Sequence, residues 1–244
     1  MNSLYDHYVD WYPLLDPAHA HAEEGGLYGD LLRDALRPPT DRPSLLELGS
    51  GAGNNAVFLA ERFDCTLVDP SPGMLALSVA QNPGCRHVEG DMRTVELGRS
   101  FDAVLIHDAI VYMTTEADLR AALVTAYRHL RPGGAALFAP DYVTETFDEG
   151  IEPLGDDDGH RSLRGTAWVW DPDPGDTSYR TDYALLLRDG TDLVSVHTTD
   201  TEGLFPRATW LRLLAEVGFE AEAVPRELED GWSDEIFLGR RPLI

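Results

Sequence analysis

Leu45-Leu46-Glu47-Leu48-Gly49-Ser50-Gly51-Ala52-Gly53-Asn54-Asn55 decides how this chain folds. A short apolar run meets three glycines at alternate positions, and the apolar Ala56-Val57-Phe58-Leu59-Ala60 follows at once. The pattern reads as strand, tight turn and helix. Residues without a Cβ let the backbone turn sharply and lie close against a ligand. The free N–H groups of the helix N-terminus then face any polar or anionic group held there. Sixteen residues past Gly53 comes a second short apolar strand, Leu67-Val68, ending in Asp69. In a βαβ unit an acid at that place accepts hydrogen bonds from the ribose hydroxyls of a nucleoside. The dinucleotide fingerprint is G-x-G-x-x-G, whereas the spacing here is G-x-G-x-G, with Asn54 where the last glycine of that fingerprint would stand. The glycine spacing therefore speaks against a nicotinamide-dependent dehydrogenase.

Working outward, β and α patterns alternate. Strands are expected at 45–48, 66–68, 86–89, 101–106 and 135–138, with helices at 54–62, 72–80 and 115–130. Pro132-Gly133-Gly134 reads as the stop of the long helix. Such alternation predicts a doubly wound, mostly parallel sheet with helices on both faces. A helix at 207–217 closed by Gly218, then strands near 219–225 and 235–238, completes seven strands. In open sheets of this kind ligands bind beyond the carboxyl ends of the strands, where Gly49, Asp69, Asp91 and His107 all fall.

After Asp141 the pattern changes. Segments 163–170, 177–187 and 193–199 are rich in β-branched and aromatic residues. Asp171-Pro172-Asp173-Pro174-Gly175-Asp176 and Asp189-Gly190 separate them as hairpin turns. Residues 143–200 are thus expected to form an antiparallel β insertion, over the pocket mouth or at a homodimer contact. Residues 1–43 read as an N-terminal helical cap, helical at 5–15 and 29–36, with Tyr5, Tyr8 and Tyr12 spaced to share one helix face. The core is then 44–142 with 201–244.

The chain of 244 residues carries 43 acids against 19 bases, a net charge of −24, and every base is an arginine. Such a charge repels phosphate backbones and argues against a nucleic-acid substrate. With no lysine there is no pyridoxal-phosphate Schiff base and no P-loop lysine. Cys65 and Cys85 lack metal-ligand spacing, and no His/Cys/carboxylate set with that spacing stands out, so no metal site is expected. No basic region followed by an apolar run opens the sequence, and no stretch of about 18 apolar residues occurs. A cytoplasmic protein with no membrane partner is expected.

On these residues the sequence resembles the class I S-adenosylmethionine (SAM) dependent methyltransferases. Their acid-x-G-x-G-x-G motif is matched by Glu47 through Gly53, their ribose acid by Asp69, and their adenine-flanking acid by Asp91, followed by Met92. The resemblance covers about Ser44 to Asp141 and implies a Rossmann-like methyltransferase fold with SAM as cofactor. It implies backbone contacts from Gly49, Ser50, Gly51 and Gly53 to the methionine portion, and Glu47 at the turn or the amino group. It places Asp69 on the ribose, Met74, Asp91 and Met92 at adenine, and Tyr12 as an aromatic from a covering N-terminal segment. His107, beside the cofactor, and Asp108 are the candidate catalytic base and its orienting acid. Tyr112, Asp141 and Tyr142 are the candidates for the acceptor wall, and the acceptor is a small molecule methylated at N, O or C.

The layout, with its insertion after the fifth strand, is similar to the amino-sugar N-methyltransferases of macrolide biosynthesis. That branch tends to have a Ser- and Gly-containing run ending in His after the fourth strand. Here the segment is Ala109-Ile110-Val111-Tyr112-Met113, so the histidine has no counterpart. A SAM-binding regulator or partner subunit without transferase activity is the alternative reading.

Overall fold

The computed structural model describes residues 5, 7–228 and 233–243; residues 1–4 and 6 of the expected N-terminal cap lie outside them. Eleven strands form two sheets: β1 Ser44–Leu48, β2 Asp64–Asp69, β3 Arg86–Glu89, β4 Phe101–His107, β5 Leu130–Ala139, β6 Gly150–Leu154, β7 Arg161–Trp170, β8 Ser178–Asp189, β9 Asp192–Gly203, β10 Glu220–Glu227 and β11 Ser233–Arg240. The first sheet has seven strands in the order β10-β11-β5-β4-β1-β2-β3, and the second has four, β6-β7-β8-β9. β1 to β5 pair in parallel, while β11 runs antiparallel to both β5 and β10.

The helices are α1 Ala22–Ala35, α2 Ala56–Leu59, α3 Pro72–Gln81, α4 Glu116–His129 and α5 Arg207–Val217. Strand periodicity splits the core in two. Leu46, Leu48, Val104, Ile106, Ala136 and Phe138 face α4 and α5, meeting Leu119, Leu123, Trp210 and Leu214. Leu45, Leu67, Ala103, Leu105 and Leu137 face the other way, onto Tyr28, Leu32, Ala56 and Leu59. Burial on both faces explains why these strands read as unbroken apolar runs. β1 lies between β2 and β4, so the chain order reverses there and opens a crevice at the carboxyl ends of β1 and β4.

Several boundaries differ from the sequence expectation for visible reasons. The helix expected over 54–62 is only α2, because the Arg42 guanidinium donates to the carbonyls of Ala60 (2.9 Å) and Phe63 (3.2 Å) and ends it early. Pro132-Gly133-Gly134 lies within β5, where the pairing with β4 shifts register beyond Phe101↔Leu130; α4 has already ended at His129. α1 starts at Ala22, well before Gly29, since Gly25 and Gly29 let it approach α2 and Arg62 closely. The helix expected over 5–15 is broken into the turns Val9–Trp11 and Tyr12–Leu15, with Pro13 and Pro17 nearby. Tyr5 and Tyr12 consequently meet, rings 5.9 Å apart, while Tyr8 leaves them and packs with Trp11 and Leu14 against Leu163, Leu185 and Leu187 of the second sheet. β6 gave no sequence signal: it is an exposed edge strand containing Pro153.

Candidate active site

A cavity of about 540 Å³ opens at the crevice, within the roughly 300–1,000 Å³ usual for small-ligand sites. Gly49, Ser50 and Gly51 line it, with Glu47, Asp69, Met74, Asp91 and Met92 around them. Tyr5, Tyr12, Asp108, Tyr112, Asp141 and Glu202 line it too.

The glycine loop is held by its own backbone. The N–H groups of Gly49 and Ser50 donate to the Val68 carbonyl (2.8 and 3.0 Å), and the Gly51 N–H donates to Asp69 Oδ2 (2.8 Å). Asp69 Oδ1 accepts from the Ser71 N–H at 2.8 Å. Burial raises the pKa of Asp69, and these two N–H groups partly offset the rise. Gly49, Gly51 and Gly53 all have positive φ, at 74°, 53° and 77°. A Cβ on Gly51 would meet only Met74 Cε, at 3.5 Å, so this position leaves open space for a ligand. Gly53 is different. A Cβ there would lie 2.4 Å from Ser78 Oγ and 2.5 Å from Asn82 Nδ2, so Gly53 serves close packing onto α3, and it is not among the cavity-lining residues. The expectation that it touches the cofactor is corrected accordingly.

Three buried polar atoms of cavity-lining residues here have no hydrogen-bond partner: Glu47 Oε2, Ser50 Oγ and Asn55 Oδ1. Burial pushes the Glu47 carboxyl up to about 8, against the opposing pull of His107 and His21. Asp91 lines the cavity with its carboxylate bound to Arg93, Nε to Oδ1 at 3.0 Å and Nη2 to Oδ2 at 2.6 Å; this ion pair lowers its pKa.

His107 ends β4 in a closed network. Nδ1 lies 2.9 Å from the Asn55 amide, and Nε2 lies 2.7 Å from Asp108 Oδ1 and 3.3 Å from Glu24 Oε2. Burial opposes its charge, but Asp108 and Glu24 outweigh burial and hold its pKa well above the ordinary histidine value. Asn55 Nδ2 faces Nδ1, while carboxylates occupy Nε2, the nitrogen the expected general base would use, and this contact positions Asp108.

Asp108 sits at φ 35°, a strained value for a non-glycine residue, costing on the order of 1–3 kcal/mol. That backbone leaves half of its side chain (51%) open to the cavity and within reach of His107. Asp141 shares a hydrogen bond with Asp108. Burial and the neighbouring Asp108 and Glu202 hold Asp141 well above the usual carboxylate range.

The N-terminal segment completes the wall. Asp16 accepts from Tyr12 (2.7 Å) and Asn54 (2.9 Å) and pairs with His21 Nε2 (2.7 Å), tying the cover to the glycine loop. His21 Nδ1 lies 2.5 Å from Glu24 Oε1, and Arg226, buried beside Asp234 and Tyr28, reaches Glu24 Oε2 at 3.3 Å. Tyr5 and Tyr112 share a hydroxyl hydrogen bond of 2.7 Å, and Tyr112 donates to Asp200 at 3.2 Å.

Tyr12, Glu47, Gly49, Ser50, Gly51, Asp69, Met74, Asp91, Met92, His107, Asp108, Tyr112 and Asp141 all meet at this one cavity. Tyr142 does not. Its ring packs with Phe147 and Tyr179 at 5.3 and 5.5 Å in a satellite cluster, so its assignment to the acceptor wall is corrected. The sequence reading missed Asp16, His21, Glu24, Asn55 and Glu202. His19-Ala20-His21-Ala22-Glu23-Glu24 was the one available signal, a titratable run at helical spacing. His21, Glu24 and His107 also offer ligand atoms within 4.8 Å of one another, a clustering that spacing along the chain could not reveal. Each of those atoms is engaged in the histidine–carboxylate network, and Arg226 already supplies positive charge at Glu24.

Residues 45–134 match the family model described as a methyltransferase domain. Among curated proteins, the chain is 33% identical over 132 residues to the dTDP-3-amino-3,4,6-trideoxy-alpha-D-glucopyranose N,N-dimethyltransferase of Streptomyces venezuelae, covering 53% of this chain and 54% of that protein. It is 32% identical over 128 residues to a dTDP-3-amino-3,6-dideoxy-alpha-D-glucopyranose N,N-dimethyltransferase of Streptomyces fradiae, covering 52% and 50%. The matched region thus spans about half the length of these relatives. The solved structure of SAM-bound CalS10, an amino pentose methyltransferase from Micromonospora echinaspora, superposes with a TM-score of 0.75 at 28% identity, covering 90% of this chain and 91% of that one. Streptomyces venezuelae DesVI has the same fold, with a TM-score of 0.79 at 24% identity over 90% and 91% of the two chains. The chain thus shares the fold of these methyltransferases, matches the methyltransferase-domain model over residues 45–134, and resembles the amino-sugar N-methyltransferases.

Proposed function

We propose that this methyltransferase-domain protein is an enzyme that moves a methyl group from SAM to an amino group of a small molecule, of the amino-sugar kind found in natural-product biosynthesis. One observation carries the reading: the glycine loop with Asp69, and a separate wall of tyrosines and carboxylates, line a single cavity. A regulator that only holds SAM has no use for the second wall.

The residues present fit the cofactor. The open space at Gly51 and the unpartnered Glu47 Oε2 and Ser50 Oγ form a polar cradle for an amino-acid moiety, and Asp69 stands ready for a ribose. Met74, Asp91 and Met92 would flank the base. When bound, SAM supplies a sulfonium methyl that an acceptor lone pair takes by in-line displacement. The chain's own residues bind, align and exclude water. Tyr12 and Asp16 close the cover over the loop through Asn54, and His107 fixes Asp108 beside Asp141. The relatives named for amino-sugar N-methylation support a nitrogen acceptor. The exposed outer face of the second sheet, with Ile151, Trp168 and Leu186, suits a contact between two copies.

Calorimetric titration with S-adenosylhomocysteine (SAH) and labelled methyl transfer to small amines test the reading. Asp69→Ala should weaken SAH binding by roughly 10- to 150-fold, the value of one or two charge-assisted hydrogen bonds. Unchanged binding would remove Asp69 from the cofactor site. SAH binding without transfer to any amine would favour the regulator.

A further inference from the structure

We infer that the acceptor is an amine carrying no phosphate, bound as its ammonium ion against Asp108, Asp141 and Glu202, and that Glu202 accepts the ammonium proton. The inference rests on the methyltransferase reading and narrows its substrate class.

The first argument is charge. The cavity is lined by seven carboxyl side chains, those of Asp16, Glu47, Asp69, Asp91, Asp108, Asp141 and Glu202. Arg93 is the one arginine among its described lining residues, and Asp91 and Asp118 hold that guanidinium from both sides. His21 and His107 are tied to Asp16, Glu24 and Asp108. The chain has no lysine, and the residues outside the described ones include no arginine. Recognition of a sugar diphosphate calls for arginine or lysine donors at its phosphoryl oxygens. The cavity offers carboxylates instead, which favour a cation and repel a phosphate.

The second argument is the position of Glu202. It comes from β9 in the second sheet, is only 5% exposed, and lines the cavity. Thr181 Oγ1 donates to its Oε2 at 2.7 Å. Asp108, Asp141 and Asp200 are its acidic neighbours, and no arginine pairs with it among the ion pairs of the described residues. A buried acid among acids is costly without a cation, and a bound ammonium supplies one. Tyr5, Tyr12, Tyr112 and Tyr183 also line the cavity, and aromatic rings attract an alkylammonium.

The third argument is the proton. An ammonium nitrogen has no lone pair, so one N–H bond must break before the nitrogen can attack. The proton passes to Glu202, leaving a neutral amine beside a neutral carboxyl. Burial, opposed by the Thr181 hydrogen bond, pushes the Glu202 carboxyl up to about 7, so it gains and loses a proton near neutrality.

The test is calorimetry on the SAH-loaded protein with methyl 3-amino- and 4-amino-dideoxyglucopyranosides, the same sugars carried on dTDP, and dTDP alone. At least one methyl glycoside should bind, its dTDP-linked form at least tenfold more weakly, and dTDP not at all. Glu202→Gln should retain SAH affinity and its melting temperature, because an amide oxygen still accepts from Thr181. It should bind the glycoside at least tenfold more weakly. In steady-state transfer, the wild-type rate should rise with pH through about 7 as Glu202 ionises, and Glu202→Gln should lack that rise. Tighter binding of a dTDP-linked sugar than of its glycoside, absence of any amine binding, or an unchanged pH profile in Glu202→Gln overturns the inference with the methyltransferase reading intact. Failure of SAH itself to bind overturns that reading first.

Discussion

Replacing Gly51 by alanine separates what the glycine loop does for the fold from what it does for a ligand. Gly51 has φ 53°, in the left-handed region, where a Cβ costs about 1–2 kcal/mol. The new methyl would touch only Met74 Cε at 3.5 Å, an ordinary contact. The melting temperature should therefore fall modestly, at about 2–4 °C per kcal/mol for a chain of this size. The methyl would, however, occupy cavity space where SAH has to lie. Overpacking a fitted site costs about 1–3 kcal/mol, which corresponds to roughly 5- to 150-fold in affinity. Gly49→Ala is the counterpart. Its Cβ would lie 2.4 Å from Ala109 Cβ and 2.8 Å from Met92 Cε, so strain and overpacking add to about 2–5 kcal/mol, paid by the fold itself. Differential scanning calorimetry and SAH titration of both variants distinguish the effects. If Gly51→Ala binds SAH as wild type does, or melts as low as Gly49→Ala, the loop is not the ligand cradle described above.

Three further outcomes follow from the buried charges. Glu47 is protonated in the free protein below about pH 8, so pairing it with a ligand ammonium at pH 7 should release about one proton. Calorimetry in buffers of different ionisation enthalpy measures this, and Glu47→Gln should abolish it. Burial lowers the His21 pKa, but hydrogen bonds to Asp16 and Glu24 raise it to about 10, above its unfolded value near 6.5. Its stabilisation is thus complete below about pH 6.5 and is lost as pH climbs toward 10. Melting curves of His21→Asn should show a shallower decline than wild type across that window. Arg226→Leu takes the buried guanidinium away from Asp234 and from Glu24, which keeps His21 and His107, and should cost about 3–5 kcal/mol in urea unfolding; a loss under about 1 kcal/mol would show that the cluster contributes little.

The parallel sheet was legible because Leu45 to Asn55 and the segments after it combine period, turn chemistry and strand-end acids locally. The glycine-loop wall of the cavity was legible for the same reason: Gly49, Asp69 and Asp91 each stand at or just past the end of a strand. The opposite wall was not, because it is assembled from distant parts. Asp16, His21 and Glu24 come from before the sheet and Glu202 from the end of a hairpin, and only tertiary packing brings them to Asp108. Asp108, one carboxylate at the His107 ring, is its neighbour in the chain, but the other, Glu24, lies 83 positions earlier and could not be read from local sequence. Tyr142 follows Asp141 immediately, yet strand-end backbone sends the two side chains to different clusters.

The tether of the cover has a consequence for divergence. Asp16 meets the glycine loop through the side chain of Asn54, so the cover and the second sheet are additions clipped onto a finished nucleoside-binding platform. Descendants of this chain could exchange Tyr5, Tyr12 or Glu202 for other side chains and turn to new acceptors. The seven-stranded platform beneath would register almost none of those changes.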